Sequence, residues 1–220
     1  MAKKPQQAKS SPVLHVEVQE PGGRTHSGWI SCKIGEHLRF STEELSFYCL
    51  AKWEPVTFDA LLLAAAVEFC DRSRKRAMHH WAREFHLRIP VHDVHRWSQV
   101  KVKNTLSDAL SFLTGDRWHI EFTSRNKPQL EPNHSHFVMP GGSHAIVPYS
   151  EGMDSRAVAG LVAKAFGNDK ILRVRLGSKA SDNDCPAHYG QPFASVPYRV
   201  YEGNNCFTET SARSRGFKFA

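Results

Sequence analysis

The pattern that most constrains this chain's fold lies between Ala145 and Leu176. Ala145-Ile146-Val147 is a short apolar run that ends in the polar, glycine-bearing stretch Pro148-Tyr149-Ser150-Glu151-Gly152. A helical pattern follows from Asp154 to Phe166, and a second apolar run from Ile171 to Leu176. Strand, helix and strand in that order call for a parallel sheet. The junction between first strand and helix is also an anion trap in principle. Loop N–H groups and the positive end of the helix dipole converge there on one point. Ser150 and Ser155 add hydroxyl donors, so a phosphate group is the expected ligand. Two common phosphate loops are excluded. The chain has no G-x-x-x-x-G-K-[ST] run, and no G-x-G-x-x-G opens this helix.

The N-terminal half has a different texture. Val13 to Val18 and Trp29 to Ile34 read as strands separated by a Pro21-Gly22-Gly23 turn, with His37 to Phe40 as a third. Ser41-Thr42-Glu43-Glu44 reads as a helix start leading to about Ala51. Thr57 to about His80 is the strongest helix pattern, with Thr57 as its cap and Asp59 complementing its positive end. Leu87 to Val91 carries Pro90 and is expected at a sheet edge. Val100 to Leu113 reads as a helix closed by Gly115. In Arg117 to Thr123, Trp118, Ile120 and Phe122 alternate with His119, Glu121 and Thr123, the mark of a half-buried strand. Val196 to Tyr201 is a further strand candidate.

The expected organisation is a disordered basic tail over 1–12, an α+β domain over 13–125, a linker over 126–142 and an α/β domain over 143–220. No apolar run approaches the ~20 residues a membrane span needs, so no membrane partner is expected. The start lacks the apolar core of a secretory signal. Five cysteines, none in C-x-x-C spacing, argue against a disulfide framework and fit a reducing cytoplasm.

A net charge of +7 favours nucleic acid, nucleotides or an acidic partner. The densest basic run, Arg72-Ser73-Arg74-Lys75-Arg76, reads first as a solvated helix end and second as an RNA contact. Arg173 and Arg175 alternate on a strand that should be buried, so one face of that strand is expected to open to a cleft or to solvent. The histidine groups His79-His80, His92-x-x-His95 and His134-x-His136 with His144 lack a metalloenzyme spacing. Trp81, Trp97 and Trp118 are assigned to core packing.

Ser150-Glu151-Gly152-Met153-Asp154-Ser155 resembles the S-G-G-x-D-S loop of the PP-loop (N-type) ATP pyrophosphatases, departing from it at Glu151. The N-terminal order around Asp71-Arg72, Trp81-Ala82-Arg83, Ile89-Pro90-Val91 and Thr114-Gly115-Asp116-Arg117-Trp118 resembles QueC-like proteins. These are similar to 7-cyano-7-deazaguanine synthase and include the QatC-type branch of anti-phage gene clusters. Ser211 to Phe217, with Arg213 and Arg215, resembles that family's arginine-rich downstream helix start.

The resemblance implies a HUP-like, Rossmann-like parallel sheet binding ATP and Mg²⁺. Ser150, Glu151, Gly152, Met153, Asp154, Ser155 and Arg156 would form the nucleotide site with Arg213 and Arg215, and Asp154 and Ser155 would stand closest to the chemistry. It implies adenylation of a 7-deazaguanine-type carboxylate for amide or nitrile formation, with protein partners from a defence cluster. Only 64 residues follow Arg156, room for about three strands at ~30 residues per βα unit. The expected PP-loop domain is therefore incomplete, and the family's four-cysteine zinc site has no counterpart. Two alternatives stand beside this one. The first is a non-catalytic subunit that contacts nucleic acid or protein partners. The second is another PP-loop tRNA-modifying chemistry.

Overall fold

The computed structural model describes residues 13–40, 55–76, 82–126, 145–177, 192–196 and 198–201. The chain is mixed α/β, and its main feature is a four-stranded parallel sheet in the order β2-β1-β4-β5. The strands are β1 (Leu14–Gln19), β2 (Ile30–Lys33), β4 (Glu84–Val91) and β5 (Arg117–Ser124). The short β3 (Leu38–Phe40) lies outside this sheet. The α+β character expected of the first half is thus replaced by wholly parallel α/β pairing in its main sheet.

Helix α1 (Pro55–Ser73) joins β3 to β4, while α2 (Val94–Trp97) and α3 (Val100–Thr114) join β4 to β5. The path from β2 past β1 to β4 and on to β5 crosses the sheet in one direction, and right-handed crossovers then put the linking helices on one face. Phe58, Leu62 and Val67 of α1 and Leu110 of α3 accordingly share one core with Phe85, Leu87, Ile89, Trp118 and Ile120. The step from β1 to β2 runs the other way, and its 20–29 connection lies over the opposite face. There Trp29 stands 4.9 Å from His15 and 5.0 Å from His86, ring centre to ring centre.

Helix α1 buries twelve of its nineteen residues. Pro55 opens it, since a first-turn proline gives up no hydrogen bond. Thr57 therefore sits inside the helix and does not cap it. The helix ends at Ser73, well before His80. The Arg83 guanidinium takes the carbonyls of Asp71 and Arg74, which turns the chain toward β4. Arg83 also binds the carboxylates of Asp71 and Asp116, and Arg76 donates two 2.8 Å bonds to Asp116. The basic run is thus spent partly on buried carboxylates, which corrects the solvated reading of it.

Strand β4 is central, flanked by β1 and β5. Pro90 is tolerated because the β1 ladder stops at Arg88, so nothing on that side needs its missing N–H. Helix α3 ends on Gly115, which adopts the left-handed conformation at φ 73°. Asp59 does more than complement a helix dipole. Its fully buried carboxylate accepts from the His92 N–H, from His92 Nδ1 at 2.7 Å and from Trp97 Nε1 at 3.1 Å. It pins the end of β4 to α1.

A second parallel sheet has the order β6-β7-β8, with β6 (Ala145–Pro148), β7 (Ile171–Leu176) and β8 (Phe193–Val196). Helix α4 (Met153–Phe166) links β6 to β7 through a short 3₁₀ turn, Asn168–Lys170. The candidate strand Val196 to Tyr201 is split between two sheets. Val196 ends β8, whereas β9 (Tyr198–Val200) runs antiparallel to β3. Tyr198 reaches the first core and donates a 2.8 Å bond to Glu68. Among the described residues, no helix is long and apolar enough to cross a membrane. The 1–12 tail, the helix start at Ser41, nearly all of the 126–142 linker, Trp81, His79, His80, His134, His136 and His144 lie outside the described residues.

Candidate phosphate-binding site on the second sheet

Strand β6 is short because Pro148 ends it. Tyr149 then donates its N–H to the Val174 carbonyl at 2.8 Å, which holds the outgoing loop against β7. The loop Ser150-Glu151-Gly152 delivers the chain into α4, with Gly152 as its N-cap. Open α/β sheets bind ligands at the carboxyl ends of their strands, and this loop sits at that end of β6.

The first four N–H groups of a helix have no partner within it. The earliest intrahelical bond here is Arg156 N–H to the Gly152 carbonyl, at 3.1 Å. The N–H groups of Met153, Asp154 and Ser155 therefore face the helix start, and none of them closes a helical turn. No side chain caps this helix at Gly152. Ser155 Oγ donates to the Gly152 carbonyl at 2.9 Å, and the Ser150 hydroxyl lies 3.3 Å from it. The two serines thus converge on one side of the loop. Met153, Asp154 and Arg156 are exposed beside them.

Ser150, Glu151, Gly152, Met153, Asp154, Ser155 and Arg156 therefore occupy one loop and the first turn of one helix. Arg213 and Arg215 lie outside the described residues. Among the described residues, no three His, Cys, Asp or Glu side chains form a metal-holding group. His92 is bound to Asp59, while His95 of the same spacing stays exposed.

Glu151 is the least expected part of the loop. It has φ 63°, and among the described residues it is the one non-glycine with positive φ. The left-handed position of the loop is thus 151, occupied by glutamate, while Gly152 takes an ordinary φ of −69°. A side chain held in this conformation costs on the order of 1–2 kcal/mol. The Glu151 carboxylate lies 3.1 Å from the Arg175 guanidinium, near the carboxyl end of β7.

Arg173 and Arg175 are both buried, at 6% and 4% exposure, which corrects the expectation that their strand opens to solvent. They share a sheet face with Ile171, and Ile171 packs with Val147 and Ala159 of α4. Arg173 turns toward the far end of that helix and donates to Asn168 at 3.0 Å. Arg175 turns toward the loop, and its guanidinium also lies over the Phe193 ring. Sequence reasoning noticed this pair of arginines but left Arg175 out of the site. Only the β6–β7 register, which puts Pro148 opposite Val174, places Arg175 beside the loop.

No family model matches this chain, and no curated protein or solved structure matches it either.

Proposed function

We propose that this chain is an ATP-binding protein of the PP-loop kind that activates a carboxylate, of the 7-deazaguanine type in the QueC-like resemblance. The observation that carries the proposal is the loop 150–155. It brings three uncommitted N–H groups, two serine hydroxyls and a helix N-terminus together at the carboxyl end of a parallel strand.

In this reading the pyrophosphate part of ATP lies over the start of α4. The N–H groups of Met153, Asp154 and Ser155 and the hydroxyl of Ser150 donate to its oxygens. Arg156, with Arg213 and Arg215 from outside the described residues, offsets its charge. Asp154, an exposed carboxylate at the helix start, suits Mg²⁺, which takes one or two protein carboxylates plus phosphate oxygens. Mg²⁺ would spread the negative charge that develops between the α and β phosphates.

The carboxylate oxygen of the substrate attacks the α-phosphorus. The bond from α-phosphorus to the bridging oxygen breaks, and pyrophosphate leaves into the loop. Ammonia then attacks the acyl carbon, AMP departs and an amide remains. The loop residues supply binding, orientation and charge stabilisation for the first displacement.

A second reading is favoured by the Glu151–Arg175 contact, because a carboxylate already stands where an anion would bind. It makes the chain a non-catalytic subunit, contacting nucleic acid or partner proteins of a defence cluster. Calorimetric titration with ATP·Mg²⁺ separates the two. Heat of binding that disappears on Asp154→Ala and Ser155→Ala supports the nucleotide reading. A flat titration combined with tRNA or DNA binding that weakens steeply with salt would replace it with the second.

A further inference from the structure

We infer that Arg175 is the anion-binding arginine of this loop and that Glu151 is its built-in counter-ion, which an incoming diphosphate must displace. The inference rests on the loop 150–155 being the phosphate site.

Three observations meet at this pair. The first is the location of Arg175. It stands at the carboxyl end of the central strand of the second sheet, beneath the loop that opens α4. Its side chain is 5% exposed, and a charge so far from water needs a partner of opposite sign. The second is the partner. The Glu151 carboxylate, 3.1 Å away, keeps 28% of its side chain exposed, so it forms the outer half of the pair. A ligand arriving from solvent meets Glu151 first and Arg175 behind it.

The third observation is the backbone. Glu151 holds its carboxylate on Arg175 from a left-handed conformation that a glutamate rarely adopts. The contact therefore holds the loop in a self-occupied state. A diphosphate offers more oxygens of the same charge type to the same guanidinium, and guanidinium–phosphate pairing is bidentate. Exchange of one anion for the other leaves Arg175 paired throughout. The cost of expelling Glu151 lowers the affinity for any phosphate ligand, and the loop favours ligands that bring at least two charges.

The test compares the wild-type chain with Glu151→Gln, which keeps the length and shape of the side chain and removes its charge. Both proteins are titrated calorimetrically with inorganic pyrophosphate and Mg²⁺, and separately with ATP·Mg²⁺. The expected result is at least tenfold tighter pyrophosphate binding by Glu151→Gln. In the double variant with Arg175→Gln that gain should disappear, and an unchanged circular dichroism spectrum shows that the variant is folded. Should Arg175→Gln fail to fold, the ionic-strength dependence of pyrophosphate binding by Glu151→Gln is the second readout. It should be steeper than that of wild type.

Equal pyrophosphate affinity in wild type and Glu151→Gln overturns the inference, whatever ATP does. Tighter pyrophosphate binding by Glu151→Gln with no ATP binding by either protein upholds it and removes the ATP reading. Equal pyrophosphate affinity together with ATP binding by both proteins keeps the ATP reading and removes the counter-ion. Absence of binding in every titration removes both.

Discussion

The two parallel sheets of this chain are built to different standards. In the first, α1 buries twelve of nineteen residues against the strands, among them the fully buried Leu62, Ala65 and Val67. In the second, α4 has fourteen residues and buries one, Ala159. Leu161 is 70% exposed, Phe166 52% and Met153 87%. Helix α4 links the neighbouring strands β6 and β7, whereas α1 returns the chain from β3, outside the first sheet, to β4; each nonetheless packs on a parallel sheet, and the difference in burial remains to be explained. It lies in how much apolar surface each crossover removes from water, at about 25 cal/mol for each Å². The candidate phosphate loop sits on the thinly packed side. Local opening is cheapest where few apolar contacts must break, and binding loops are drawn from such regions.

The sharpest way to break this comparison is to cut the first sheet at its amino-terminal edge. Arg83 ties Asp71 at the end of α1 to Asp116 at the start of β5, and Arg76 binds Asp116 from the other side. All four carboxylate and guanidinium partners are at most 17% exposed in their side chains. Arg83→Ala leaves two buried carboxylates short of a partner, and the expected loss is about 3–5 kcal/mol. Urea denaturation measures it. A loss below 1 kcal/mol would mean that the second sheet, not the first, dominates the unfolding transition.

The sequence made some of this contrast legible. The alternation from Trp118 to Phe122 announced a half-buried strand, and the observed strand buries those three residues. The β6–α4–β7 unit was visible because each element keeps its own period and the glycine-bearing stretch 148–152 separates the first strand from the helix. The central place of β4 was hidden by Pro90, since a missing N–H usually means an edge. What decides is the ladder to β1, which ends before Pro90. The split at Val196 was hidden as well, because one apolar run serves two sheets. At the candidate site, the loop itself was legible as a local motif. Arg175 was not, because it comes from another strand and only register brings it to Glu151.

A smaller effect concerns acid. The face of the first sheet opposite its helices carries in-register rows, His15–His86–His119 and Glu17–Arg88–Glu121, across β1, β4 and β5. Burial lowers His86 below its ordinary value of 6.5, and the neighbouring His15, His119 and Arg88 act in the same direction, against Glu121. Burial likewise lowers His37, whose Nδ1 accepts the Lys33 N–H at 2.9 Å and must be unprotonated to do so. For Glu17 burial alone would raise the carboxyl. The backbone and ring of His26 and the Arg88 guanidinium overcome that and leave it below 4.5.

All three groups bind protons less readily when folded, so each makes the unfolded state the better proton acceptor. The histidine contribution is complete above pH 6.5 and is lost as pH falls through the lowered folded values. The Glu17 contribution is complete above pH 4.5 and is lost below it. Melting temperature should therefore decline in two stages between pH 7 and pH 3. His37→Gln with His86→Gln should flatten the first stage and leave the second. A melting temperature that rises on acidification from pH 7 to pH 5 would contradict the sign.

The smallest expected effect falls in the second sheet. Leu161 and Leu62 are the same residue in two crossover helices, one 70% exposed and the other fully buried. Truncating a fully buried leucine to alanine costs about 2–5 kcal/mol through lost transfer energy and the cavity left behind. At Leu161 neither contribution arises, because most of the side chain is in water and no cavity forms. Alanine is also the better helix former, so Leu161→Ala should change stability by no more than about 0.5 kcal/mol. The same urea denaturation measures it, with the slope expected to remain that of the wild type. A loss of 2 kcal/mol or more would mean that α4 is covered in solution. The second sheet would then be as well packed as the first, and the phosphate loop would open from a rigid base.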